Sequence, residues 1–200
     1  MKFSLKKDFL TLVTFFFAFL GVGYTYTYFV DHRWDIVLAV EELVTEIALP
    51  FHITEMRLKP EVVALPVPVY GVPLKDVEDT WGLARSEGRS HEGSDIFAPS
   101  GTPVFSVTEG YVVDTYFGHR GVNNVMIIGP GGLFYYYAHF ERLAEGVERG
   151  MRVTPDTVLG YVGVSGNAVG TPPHLHFGIY TKPWTAINPY PLITLDRWEN

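Results

Sequence analysis

The chain has 200 residues, 47% of them hydrophobic, and a formal net charge of −7, enough for one sizeable core and one or at most two domains. An acidic balance of this kind carries no electrostatic footprint for nucleic acid or another polyanion. The absence of cysteine excludes disulfides, thiolate metal sites, thiol nucleophiles and a lipid-modified N-terminal cysteine, and leaves the redox compartment open.

Lys2, Lys6 and Lys7 precede an uncharged run from Phe9 to Val30. At about 1.5 Å per residue, a helix over that run reaches across a hydrocarbon core of roughly 30 Å. Tyr24, Tyr26 and Tyr28 sit at its far end, where an aromatic belt belongs, and the lysines keep the first residues cytoplasmic and the rest of the chain outside. A cleaved signal peptide with Gly21-Val-Gly23 as its small-x-small site is the competing reading. The hydrophobic stretch continues past that site to Val30, which favours an uncut membrane anchor, single-pass with its C-terminal part extracytoplasmic, over secretion after cleavage.

Ile36, Val40, Leu43 and Ile47 then repeat at helical spacing, with Asp35, Glu41, Glu42 and Glu46 between them. They predict an amphipathic helix from Trp34 to Ala48, closed by Pro50, that packs on the domain or a partner or serves as a solvated spacer. From Lys59 to Pro73 the prolines at 60, 66, 68 and 73 alternate with valines, as in a stiff, extended connector leading into an edge strand. The expected organisation is therefore an anchor or signal over 1–30, a helix and connector over 31–69, and a domain over 70–200.

Within that domain, short apolar-alternating runs are separated by glycine, proline and asparagine clusters: Thr102 to Val107, Gly110 to Tyr116, Asn124 to Ile128, Leu133 to His139, Thr157 to Val164 and His174 to Tyr180. These are strand and turn signals and predict an all-β or mainly β domain. Gly129-Pro-Gly-Gly132 is the strongest hairpin turn.

Three short pieces carry chemistry. In His174-Leu175-His176 the two imidazoles project from one face of a strand while Leu175 and Phe177 point to the other; two rings side by side without partners would be costly to bury. His139 ends the run Phe134-Tyr-Tyr-Tyr-Ala-His139, sharing a face with Tyr137 and Tyr135, which become candidate groove-lining residues. His91-Glu-Gly-Ser-Asp95 offers an imidazole and a carboxylate in a glycine-containing loop. Neutral imidazoles and a carboxylate suit four-coordinate Zn²⁺, whose catalytic sites keep three protein ligands and one open position. Five candidate groups exceed that need, and the two left over suit proton transfer. His32, His52 and His119 have no such company and read as surface or structural.

With these residues the chain resembles the lysostaphin-type zinc metallopeptidases, whose pattern runs H-x-G-x-D, Y-x-H and H-L-H. The likeness covers roughly Gly71 to Leu192 and includes Arg89-Ser-His91-Glu-Gly-Ser-Asp95-Ile-Phe-Ala-Pro99, Tyr136-Tyr-Ala-His139, Gly160-Tyr-Val-Gly163 and Pro173-His-Leu-His-Phe177. The chain departs from it at Ser94, where an apolar residue is more usual, and at Thr171-Pro-Pro173. The resemblance implies an antiparallel β-sheet core with a zinc in a groove, His91, Asp95 and His176 as ligands, His139 and His174 as the catalytic pair, and peptidoglycan stem or bridge peptides as substrate. A non-catalytic wall-binding or hydrolase-activating module is the alternative, disfavoured because all five positions hold competent groups. A lipoyl or biotinyl carrier, suggested by Gly146 to Gly160, lacks the exposed turn lysine it needs.

Overall fold

The computed structural model describes residues 33–85, 88–115, 123–182 and 185–198. The run Phe9–Val30, and with it the anchor and signal-peptide readings, lies outside the described residues, as do His32 and His119. Among the described residues no helix is long and apolar enough to cross a membrane. Contacts divide the chain into two units, Met1–Glu46 and Ile47–Asn200.

Helix α1 runs from Arg33 to Leu58 with Pro50 inside it, so the expectation that Pro50 closes the helix is corrected. A proline removes one amide donor and crowds the preceding turn, and burial beyond it compensates. Met56 is buried against Tyr111 and Ile128 with Ile53 beside it, His52 stacks on Tyr111 at 3.8 Å, and Lys59 reaches Glu109 at 2.8 Å. The predicted apolar stripe of Val40, Leu43 and Ile47 is exposed. The turns after Pro50, rather than that stripe, make the packed part of the helix.

The fold is mainly β. Strand β1 (Leu65–Pro66) belongs to the proline-rich segment, whose Leu65, Val67 and Val69 are fully buried. Next come β2 (Ser94–Phe97), β3 (Pro103–Phe105), β4 (Gly110–Asp114), β5 (Val125–Ile128), β6 (Phe134–Ala138), β7 (Phe140–Leu143), β8 (Arg152–Val153), β9 (Val158–Val162), β10 (His174–Lys182), β11 (Thr185–Ile187) and β12 (Ile193–Leu195). The main sheet is antiparallel, in the order β11-β10-β6-β5-β4-β8, with β2 also paired to β10; β3-β9-β7 form a second antiparallel sheet, and β1 pairs with β12.

Each of the six expected strands is present, and Gly129–Gly132 turns β5 into β6. Its Gly131 and Gly132 have φ of 75° and 73°, and a Cβ on either would run into Glu61 or Arg57, so glycine is needed both for the turn and for the chain packed over it. Strand period then sorts the side chains. Leu175, Phe177 and Ile179 of β10, Tyr135 and Tyr137 of β6 and Ile96 of β2 enter the core, leaving the opposite face of these three strands for the polar groups.

Candidate metal centre

The register of β10 assembles the site. His176 stands opposite Asp95 of β2 on one side and Ala138 of β6 on the other, and His174 stands opposite Phe97. Asp95, expected in a loop, is therefore on a strand. His91 comes from the arm before β2, where its amide donates to the Leu83 carbonyl and its carbonyl accepts from Gly82, both at 2.9 Å.

Three candidate ligand atoms converge: His91 Nε2 lies 2.9 Å from His176 Nδ1, and each lies 3.0 Å from Asp95 Oδ1. His91 Nδ1 donates to the Thr80 carbonyl at 2.6 Å, which leaves Nε2 with a lone pair facing the cluster. The Thr80 hydroxyl also accepts from the Asp95 amide at 2.9 Å. A tetrahedral ion with bonds of about 2.0–2.1 Å spaces its ligands about 3.3 Å apart, so the triad fits a zinc-sized cation in donor chemistry and spacing. These are also the residues that, among those described, could hold a metal ion.

The second oxygen of Asp95 is held by Arg85 Nη2. Burial alone would raise the Asp95 carboxyl, but the close approach of the His176 and His91 rings outweighs it and holds the group far below the usual carboxylate range; it is an anion at neutral pH. Burial lowers His176, keeping its ring neutral as ligation requires.

His139 and His174 stand beside the triad, their ring centroids 5.0 Å apart. His139 Nδ1 donates to the Ser165 carbonyl at 2.9 Å and His174 Nδ1 to the Pro172 carbonyl at 2.8 Å, so both present Nε2 to the groove. Burial, reinforced by the neighbouring His176, lowers His139 to about 4, which makes it a neutral proton acceptor at pH 7.

His139 has φ 70°, the only non-glycine residue with positive φ among those described. That left-handed turn breaks the strand alternation. Tyr135 and Tyr137 consequently do not share a face with His139 or line the groove; they lie in the core, where Tyr137 Oη accepts from the Val107 amide at 3.0 Å. Tyr136 lines the groove instead. It meets His176 edge-on with centroids 6.0 Å apart, and its Oη accepts from Asn124 at 3.2 Å. Sequence reasoning missed Tyr136, Thr80 and Arg85; the first was within reach by counting back from Ala138, and the other two carry no local signal.

The fold and the site define a metallopeptidase class, and the sequence profile described as Peptidase family M23 matches residues 89–189. The chain belongs to that family. It is 40% identical over 131 residues to the L-Ala–D-Glu endopeptidase of Bacillus subtilis, a match covering 60% of this chain and 39% of that protein. It is 31% identical over 102 residues to the peptidoglycan DD-endopeptidase ShyC of Vibrio cholerae, covering 48% of this chain and 23% of that one. Among solved structures, the catalytic domain of the antimicrobial peptidase lysostaphin from Staphylococcus simulans superposes with a TM-score of 0.51 at 27% identity, covering 59% of this chain and 92% of that domain. The chain thus matches well under half the length of these two curated relatives.

Proposed function

We propose that the protein is a zinc-dependent endopeptidase that hydrolyses peptide bonds in peptidoglycan stem or cross-bridge peptides. The observation that carries this reading is the convergence of His91, Asp95 and His176 to about 3 Å beside two further imidazoles in one groove. The relatives' names, which specify L-Ala–D-Glu and DD bonds, support peptidoglycan as the substrate.

In this reading His91 Nε2, His176 Nδ1 and Asp95 Oδ1 hold the ion. Zinc held there would supply Lewis acidity to the scissile carbonyl and would make water a better nucleophile. Thr80 fixes the His91 tautomer and, with Arg85, the aim of Asp95. His139 and His174 handle protons at Nε2: one accepts from the attacking water, and the other hydrogen-bonds the developing oxyanion or protonates the leaving amine. Tyr136 Oη, which accepts from Asn124, keeps its own proton to donate into the groove. Incubating the zinc-loaded protein with purified peptidoglycan should release peptide fragments with new amino termini, identified by mass spectrometry. Intact peptidoglycan after exhaustive incubation would count against the assignment.

We also propose that the run Phe9–Val30 is an uncut anchor that places the peptidase outside the cytoplasm, supported by its length and by the lysines before it. A reporter fused after Asn200 should be active only outside; release of a mature chain beginning near Tyr24 would favour the signal peptide.

A further inference from the structure

His139 makes its left-handed turn inside a ring of hydrogen bonds that runs through Asn123 and Ser165. Asn123, just before β5, grips the chain that follows the turn. Its carbonyl accepts from the Phe140 amide at 3.2 Å, and its side-chain Nδ2 donates to the Phe140 carbonyl at 3.1 Å and to the Glu141 carbonyl at 2.9 Å. Two carbonyl acceptors use both protons of that side-chain amide and fix which way it points. The Asn123 backbone amide donates to Ser165 Oγ at 3.0 Å, and the Ser165 carbonyl accepts the His139 Nδ1 proton at 2.9 Å. The loop that carries Ser165 also serves the second imidazole residue, because the Gly163 carbonyl accepts from the His174 amide at 3.3 Å. It lies so close to the start of β7 that a Cβ on Gly163 would collide with the Glu141 amide nitrogen.

We propose that Asn123 is a positioning residue for the proton-handling histidines, clamping the His139 backbone in its strained conformation and, through Ser165, the tilt of its ring; the proposal rests on the reading of the site as a peptidase. A φ of 70° at a histidine persists only where the surroundings over-determine it. Strand pairing does not supply that constraint at His139 itself, since β6 ends at Ala138 and β7 begins at Phe140. Asn123 supplies it from one side, with three hydrogen bonds to the two residues after the turn. Ser165 supplies it from the other, with one bond to the ring. None of these bonds involves His91, Asp95 or His176, so the clamp acts on proton transfer and leaves the ion-holding triad alone. A catalytic group displaced by about 1 Å costs up to about 100-fold in rate, which is what the clamp prevents.

The test compares Asn123→Ala, which removes the two side-chain donors, with Ser165→Ala, which removes the hydroxyl acceptor, in the full-length zinc-loaded protein acting on the peptide that product analysis identifies. Each variant should keep its zinc and a KM within about 3-fold of the wild type while kcat falls about 10-fold to 100-fold. Ser165→Thr, which retains Oγ, should restore most of that loss. In a His139→Ala background, Asn123→Ala should change the residual rate by less than about 2-fold, because a residue that acts through His139 has nothing left to act on. The His139 Nδ1 proton, read by nuclear magnetic resonance in histidine-labelled protein, should be visible in the wild type and broaden or vanish in both alanine variants. Should Asn123→Ala fail to fold, Ser165→Ala and its threonine rescue carry the same decision. Unchanged kcat, zinc lost together with activity, or an undiminished Asn123→Ala effect in the His139→Ala background overturns the clamp and leaves the peptidase reading intact. If the wild type cleaves nothing the peptidase reading falls, and the Nδ1 resonance then decides alone: its persistence in both alanine variants overturns the clamp as well.

Discussion

A methyl group at Gly93 would stand 2.5 Å from His176 Cε1 and 2.8 Å from the Phe177 carbonyl oxygen, so the peptide between His91 and Asp95 passes too close to the His176 ring for any side chain. Gly93→Ala should therefore push the His176 ring out of line and lower zinc occupancy and activity together, with the circular dichroism of the β-domain preserved. Metal titration against a chelator checks this, and wild-type zinc affinity in Gly93→Ala would show that the contact is not tight. At this scale the sequence was readable where one periodicity governs. His174 and His176 on an otherwise apolar strand could only share a polar face, and they do. It misled where a single backbone angle intervened: the φ of 70° at His139 turns that ring away from the face of Tyr135 and Tyr137, and nothing in an alanine-histidine pair announces such a turn.

Elements were legible in proportion to their hydrophobic pattern. The β5–β6 hairpin followed from alternating runs around Gly129-Pro-Gly-Gly132, whereas β2 escaped notice because Ser94-Asp95-Ile96-Phe97 is short and begins with two polar residues. Its burial comes from pairing with β10, a partner about 80 residues away in the sequence. Helix α1 fails the rule that proline ends a helix because tertiary packing after Pro50 outweighs the lost hydrogen bond. That explanation has a direct consequence. Met56→Ala should cost about 2–5 kcal/mol of docking energy, the usual range for a buried methionine truncation, and should appear as faster amide exchange over residues 51–58 with the main sheet protected as before. Unchanged exchange there would mean that Met56 does not hold the helix down.

For the whole molecule, the site is a product of long-range pairing. His91, Asp95, His139, His174 and His176 come from an arm, two strands and a strand end, and no local rule brings residue 91 to residue 176. The resemblance to a known pattern supplied that step, and the register of β2 and β6 on β10 supplies its physical cause. The central claim divides five groups into three that hold the ion and two that move protons. Zinc content and peptide-bond cleavage, measured in parallel for the wild type and the five alanine variants, test it most directly. His91→Ala, Asp95→Ala and His176→Ala should lose metal and activity together. His139→Ala and His174→Ala should keep much of the zinc while turnover falls by a factor of about 10² to 10⁴. Full zinc in the first group, or unimpaired cleavage in the second, would contradict the division.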